Sequence, residues 1–137
     1  GGWIDEFRNY QVVPEYRFGD SRIDFLLCQG AQRVLLEVKN VTLCCTPDTA
    51  CFPDAVTLRG QKHLRELRQA IDQGYRSVIF FLVQRSAARR FAPADRIDPE
   101  YGRLLREVAA AGVEVLAYQT ATTPLENRIS RALPVLL

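Results

Sequence analysis

The sequence predicts an α/β domain with a mixed central sheet flanked by helices. Three observations carry that prediction. Residues 21–27 and 33–41 read as a hairpin of two strands, residues 77–83 read as a strand apolar on both faces, and helix-like stretches stand on either side of that strand. Hairpin, helix, buried strand, helix, strand is the order of a sheet covered by crossover helices.

Each element has its own signal. In residues 1–14, Trp3, Phe7, Tyr10 and Val13 recur at helical spacing, which suits a helix or a packed lead-in. Residues 1–20 are accordingly taken as a lead-in and residues 21–137 as the domain. In 21–27, Ile23, Phe25 and Leu27 fall on one face of a strand, with Arg22, Asp24 and Leu26 on the other. Residues 28–32, with Gly30, form the hairpin connection. In 33–41, Val34, Leu36 and Val38 share one face, and Leu35, Glu37, Lys39 and Val41 share the opposite one.

Residues 42–52, with Pro47 and Asp48, read as a loop. Pro53-Asp54-Ala55 opens a helix whose apolar stripe is Val56, Leu64, Leu67 and Ile71, with Gly74 as its stop. Residues 77–83 form the central strand. Asp98 caps a second helix with Pro99 in its first turn, and the helix runs through Tyr101, Leu104, Leu105 and Val108 to Gly112. Residues 113–118 are a further strand. The tail, 131–137, carries Pro134 and fits a sheet edge.

At 137 residues the chain is one domain's worth. A hydrophobic fraction of 47% and a charged fraction of 25% exclude a disordered tail, a collagen-like fibre and a disulfide mini-scaffold. No apolar run is long enough to span a bilayer and no signal-peptide pattern opens the chain, so a cytoplasmic protein without a membrane partner is expected. No Met occurs, even at position 1, so a piece of a longer chain is expected. A net charge of +2 does not by itself indicate a nucleic-acid partner. The cations are sixteen Arg and only Lys39 and Lys62, which singles out the two lysines. Cys28, Cys44, Cys45 and Cys51 lack the paired spacing of a zinc site. Free thiols are expected, with a disulfide inside the 42–52 loop as the alternative.

One constellation carries chemistry. Glu37 and Lys39 lie two apart on a strand and so share a face, and a hairpin brings Asp24 beside them. Two carboxylates hold a hard divalent cation through oxygen, and the Val38 carbonyl supplies a further ligand. The cation polarises a phosphoryl oxygen and acidifies water, while the lysine orients that water or neutralises charge on the transition state. This is the machinery of phosphodiester hydrolysis. The alternative is a surface ion pair between Glu37 and Lys39 with Asp24 nearby by coincidence.

The order Asp24…Glu37-Val38-Lys39 resembles the PD-(D/E)xK nuclease superfamily, with its restriction-endonuclease-like core. That resemblance implies a supporting role for Gln61 on the following helix; an ordinary polar residue on the helix flank is the alternative. Longer runs are similar to the sugar fermentation stimulation protein A family. They are 21–27 (Ser-Arg-Ile-Asp-Phe-Leu-Leu), 37–43 (Glu-Val-Lys-Asn-Val-Thr-Leu), 52–57 (Phe-Pro-Asp-Ala-Val-Thr) and 59–67 (Arg-Gly-Gln-Lys-His-Leu-Arg-Glu-Leu). Residues 81–85, 98–101 and 112–115 agree. The resemblance implies an OB-like domain preceding a nuclease-like domain, with DNA as partner, RNA as an alternative, and Mg²⁺ or Mn²⁺ as cofactor. It also leaves room for a DNA-binding regulatory module of sugar metabolism with little or no catalysis. Leu58 stands where related sequences often have Glu, and Cys44, Cys45 and Cys51 depart from the family pattern.

Around this core stand further candidates. Glu15 and Asp54 are additional acids for the metal, with a solvated Glu15 and a helix-capping Asp54 as the alternatives. Arg22, Arg59, Lys62 and Arg65 form a basic rim for nucleic-acid backbone, or a solvated helix face. Arg85, Arg89 and Arg90 form a second phosphate patch. His63 is read as a surface residue or a phosphate contact, not a catalytic one.

Overall fold

A computed structural model describes residues 6–122 and 127–137. Nine strands and two helices are described. The chain order is β1 (Gln11–Phe18), β2 (Ser21–Gln29), β3 (Gln32–Val41), β4 (Leu43–Thr46), β5 (Thr49–Phe52), α1 (Leu58–Asp72), β6 (Arg76–Val83), β7 (Arg90–Pro93), α2 (Pro99–Ala110), β8 (Glu114–Thr122) and β9 (Asn127–Leu133). Six strands form one sheet in the order β1-β2-β3-β6-β8-β9. Pairing is antiparallel from β1 to β3, parallel across β3, β6 and β8, and antiparallel at β8–β9. The predicted mixed sheet with crossover helices is therefore the fold, and its core is restriction-endonuclease-like.

The helices lie on one face. Leu64 and Leu67 of α1 and Tyr101, Leu104, Leu105 and Val108 of α2 share a core with Ile23, Leu35, Ile79 and Phe81. The opposite face has a smaller cluster in which Phe7 covers Leu27, Val34 and Val78. β6 is thus covered on both sides, as its unbroken apolar run requires. Ile79 is fully buried in the larger cluster. Ile79→Val should cost about 0.5–1.5 kcal/mol, the usual penalty for one lost methylene in a packed core. Urea unfolding checks this: the midpoint falls while the slope is unchanged.

α1 begins at Leu58, later than Pro53-Asp54-Ala55 suggests. Thr57 is its N-cap, and the Thr57 hydroxyl accepts from the Gly60 N–H at 2.9 Å. Gly60 is required there, because a Cβ would sit 2.8 Å from Thr57 Cγ2 and 3.2 Å from the Tyr101 ring. Val56 precedes the helix and is exposed, so it leaves the predicted stripe, while Leu64 and Leu67 hold it. Gly74 ends the helix with φ +90°. Asp98 caps α2 through the Tyr101 N–H, as expected.

Three readings are corrected. The lead-in is a packed segment, helical at Glu6 and turning over 7–10, with Phe7 and Tyr10 set against Leu27, Val34 and Val78; Val13 leaves the helical pattern for β1, which pairs along β2 (Trp3 lies outside the described residues). Residues 42–52 are not a loop but the hairpin β4–β5, which joins β7 in a second, three-stranded sheet. That sheet docks on the core through Phe91 stacked on Phe81 at 4.2 Å and Phe52 against Phe81 and Tyr101. Cys45 and Cys51 are joined in a disulfide across this hairpin, and Cys28 and Cys44 are free. The tail forms an edge as read, but the edge strand begins earlier, at Asn127.

Candidate active site

The site is built where β2 and β3 part. Their pairing runs from Gln29↔Gln32 to Phe25↔Leu36 and stops. Beyond it, side chains take over the ladder. The Asp24 N–H donates to Glu37 Oε1 at 3.1 Å, and the Val38 N–H donates to Asp24 Oδ2 at 2.8 Å. The same break shifts β2 out of simple alternation. Ile23 packs into the helix-side core and Phe25 against the opposite cluster, so they do not share the face predicted for them. On β1 the neighbouring pairs Pro14↔Phe25 and Tyr16↔Ile23 place Glu15 opposite Asp24, and Glu15 has φ 51°. The backbone irregularity is thus shared by both strands at the position of Asp24.

Leu35, Glu37, Lys39 and Val41 face α1, as their spacing predicts. Glu37 is only 1% exposed. Its Oε2 lies 3.7 Å from Lys39 Nζ and 2.6 Å from His63 Nδ1. Lys39 Nζ and His63 Nδ1 are 3.3 Å apart. Burial acts to raise the pKa of Glu37, but contacts with His63, Asp24 and Lys39 outweigh it and hold the carboxyl below its ordinary value. Asp24 moves the other way: burial first, then its contact with Glu37, push it up. Two carboxyls in one site are driven apart in this manner.

His63 is the residue that sequence reasoning placed wrongly. It is 4% exposed and turned inward from α1 toward the acids. The signal was available, since His63, Leu64 and Leu67 fall on one helical face. Gln61 goes elsewhere: its amide donates to both carboxylate oxygens of Asp98 at 3.1 Å, tying α1 to the cap of α2. Asp54 is exposed ahead of α1 and does not cap it. Glu15 is exposed and lies 4.0 Å from Arg22.

The rim is partly assembled. Arg22, Arg59 and Lys62 line one open cleft of about 510 Å³ with Asp20, Ser21, Leu58 and His63. Lys62 also reaches Glu66 at 3.9 Å. Arg65 is drawn off to Glu100, again at 3.9 Å. Leu58 is 75% exposed at the cleft. Arg85, Arg89 and Arg90 do not converge on a shared ligand position: they bond to the Thr42 carbonyl, the Ser86 carbonyl and Asp48.

The donor set fits a hard divalent cation. Among the described residues, no group of three or more His, Cys, Asp and Glu is placed to hold a metal ion by itself. Mg²⁺ characteristically needs only one or two carboxylates and completes its shell with water and substrate phosphate. Glu37 Oε2 is buried without a hydrogen bond of good geometry, and so retains capacity for a ligand. Val38 directs its N–H to the β2 edge, and in a strand the carbonyl of the same residue faces that edge too.

A restriction-endonuclease-like fold with Asp, Glu and Lys gathered at a parted hairpin defines a PD-(D/E)xK-type domain. The chain belongs to the sugar fermentation stimulation protein family: the model of the "Sugar fermentation stimulation protein RE domain" matches residues 2–126. It is 58% identical over 137 residues to a sugar fermentation stimulation protein homolog of Syntrophotalea carbinolica, covering 100% of this chain and 59% of that protein. Identity to the homolog of Geobacter sulfurreducens is 56%, covering 98% and 58%. Thus the chain spans about three fifths of these curated relatives. The solved structure of Pyrococcus furiosus SfsA in complex with Ca²⁺ superposes with a TM-score of 0.90 at 29% identity, covering 98% of this chain and 58% of that one. No described helix is long and apolar enough to cross a membrane.

Proposed function

We propose that this domain hydrolyses phosphodiester bonds of nucleic acid, DNA in the first instance, with Mg²⁺ or Mn²⁺. The observation that carries the reading is the pair of bonds across the parted strands, Asp24 N–H to Glu37 and Val38 N–H to Asp24, with Lys39 on the same face as Glu37. Asp24, Glu37 and the Val38 carbonyl would hold the cation. When bound, the cation supplies Lewis-acid polarisation and a water acidic enough to be deprotonated near neutral pH. Lys39 adds a fixed ammonium in a half-buried setting, where it stabilises charge developing on phosphorus. The Ca²⁺ of the Pyrococcus furiosus relative supports a cation-holding site in the family. Arg22, Arg59 and Lys62 would hold the backbone in the cleft beside the acids. An OB-like domain in the remainder of the full-length protein, and action in the cytoplasm on DNA, belong to the same proposal.

The test is cleavage of single- and double-stranded DNA and RNA with Mg²⁺, Mn²⁺ or chelator. The expected result is cleavage that chelation abolishes. Salt-sensitive binding without cleavage, in this chain and in the full-length protein, would replace the reading with that of a DNA-binding regulatory module. The cleft makes a separate prediction. Replacing Arg22, Arg59 or Lys62 singly by Ala should weaken DNA binding across all sequences, and each should reduce the slope of log K against log salt by about 0.7–0.9. Arg65→Ala, whose side chain is diverted to Glu100, should change the slope less. Fluorescence anisotropy at several salt concentrations reads both.

A further inference from the structure

We propose that His63 is a positioning residue that keeps Lys39 from collapsing onto Glu37. Its Nδ1, 2.6 Å from Glu37 Oε2, takes the place a lysine would otherwise fill, and Lys39 stays 3.7 Å from the same oxygen. The inference deepens the nuclease reading and, for its catalytic consequences, rests on it.

Three groups compete for one buried oxygen. An ammonium and a carboxylate on one strand face close to about 2.8 Å when nothing intervenes. Here the imidazole makes the closer contact. Lys39 Nζ stands 3.3 Å from the same ring nitrogen, so the imidazole fills the space between the ammonium and the carboxylate. Held off Oε2, the ammonium keeps donors available to a phosphate. Glu37 meanwhile is flanked by His63 at one oxygen and by the Asp24 N–H at the other. His63 also lines the basic cleft, at the boundary between the acids and the substrate side.

His63→Leu and His63→Asn separate this role from simple packing. Leu fills the buried volume without a donor. Asn places an amide N–H where Nδ1 stood. The first readout is the crystal structure of His63→Leu, in which Lys39 Nζ should move to within hydrogen-bond distance of Glu37, about 2.8 Å. A distance unchanged from the parent overturns the proposal. The second is Mn²⁺ affinity by calorimetry and kcat on DNA. His63→Leu should lose about 10–100-fold, as loss of an orienting partner does. The kcat loss should exceed any change in KM, and His63→Asn should recover most of it. Equal losses in both variants would mark a packing role and overturn the proposal. Should the parent cleave no nucleic acid, the nuclease reading fails, and the structural readout and Mn²⁺ affinity still decide the role of His63.

Discussion

Glu37→Gln should lower metal-dependent cleavage by at least about 10²–10³-fold, the scale on which losing one transition-state electrostatic group acts. The substitution is close to isosteric. An oxygen remains to accept from the Asp24 N–H and the Val38–Asp24 bond is untouched, so the parted strands keep both of their side-chain links. What disappears is the charge that His63 and Lys39 face, and one of the two anionic ligands proposed for the cation. Asp24 supplies an internal control. Burial and Glu37 both hold its carboxyl above the ordinary value, so removing the Glu37 charge should bring Asp24 down. Carboxyl NMR titration of Asp24 reads this without any activity. Cleavage at the parental rate, in a preparation that chelator still silences, would move the chemistry to another site. A loss of cleavage with unchanged Mn²⁺ affinity would mean that Glu37 acts on the water and not on the cation.

The parallel core was legible because its signals are local. An unbroken apolar run in β6 and alternation in β3 each follow from burial on two faces. The face shared by Leu35, Glu37, Lys39 and Val41 came from period two alone. The second sheet was not legible. β4, β5 and β7 are each four residues long, and β5 pairs in parallel with a strand some forty residues away. Nothing in Thr-Ala-Cys-Phe announces that partner. The start of α1 was misplaced because Pro53-Asp54 carries a strong starting signal, whereas the cap that forms is Thr57.

Within the site, the acids and lysine were readable as a pattern, and their supports were not. The parting of β2 from β3 coincides with the positive φ of Glu15 in a third strand. His63 and Gln61 stand two apart on α1, yet one turns to Glu37 and the other to Asp98. A helical wheel sets them on opposite flanks of the buried stripe, and the placement of α2 decides what Gln61 meets.

Asp98→Ala should destabilise the domain by about 3 kcal/mol, combining a lost helix cap with buried donors left unpaired. Asp98 is 2% exposed and serves two helices at once. Its carboxylate accepts from the Tyr101 N–H at the start of α2, from the Thr57 N–H at the cap of α1, both at 3.0 Å, and from the Gln61 amide. Ala leaves all three donors in a region that water reaches poorly. Asp98→Asn should cost less, because it keeps an acceptor for Tyr101 but presents an N–H toward Thr57 or Gln61. Burial acts to raise the pKa of the Asp98 carboxyl, and the Thr57, Tyr101 and Gln61 donors outweigh it, so its pKa lies below the ordinary value. A depressed carboxyl contributes stability that is fully present above its unfolded value, about 3.9, and is lost as pH falls through the folded value. The gap between parent and Asp98→Ala should therefore be widest above about pH 5 and narrow in more acidic solution. Urea unfolding at pH 7 and pH 3 measures it. A gap that stays constant between the two would mean that Asp98 acts through packing, and that the three hydrogen bonds to its charge add nothing.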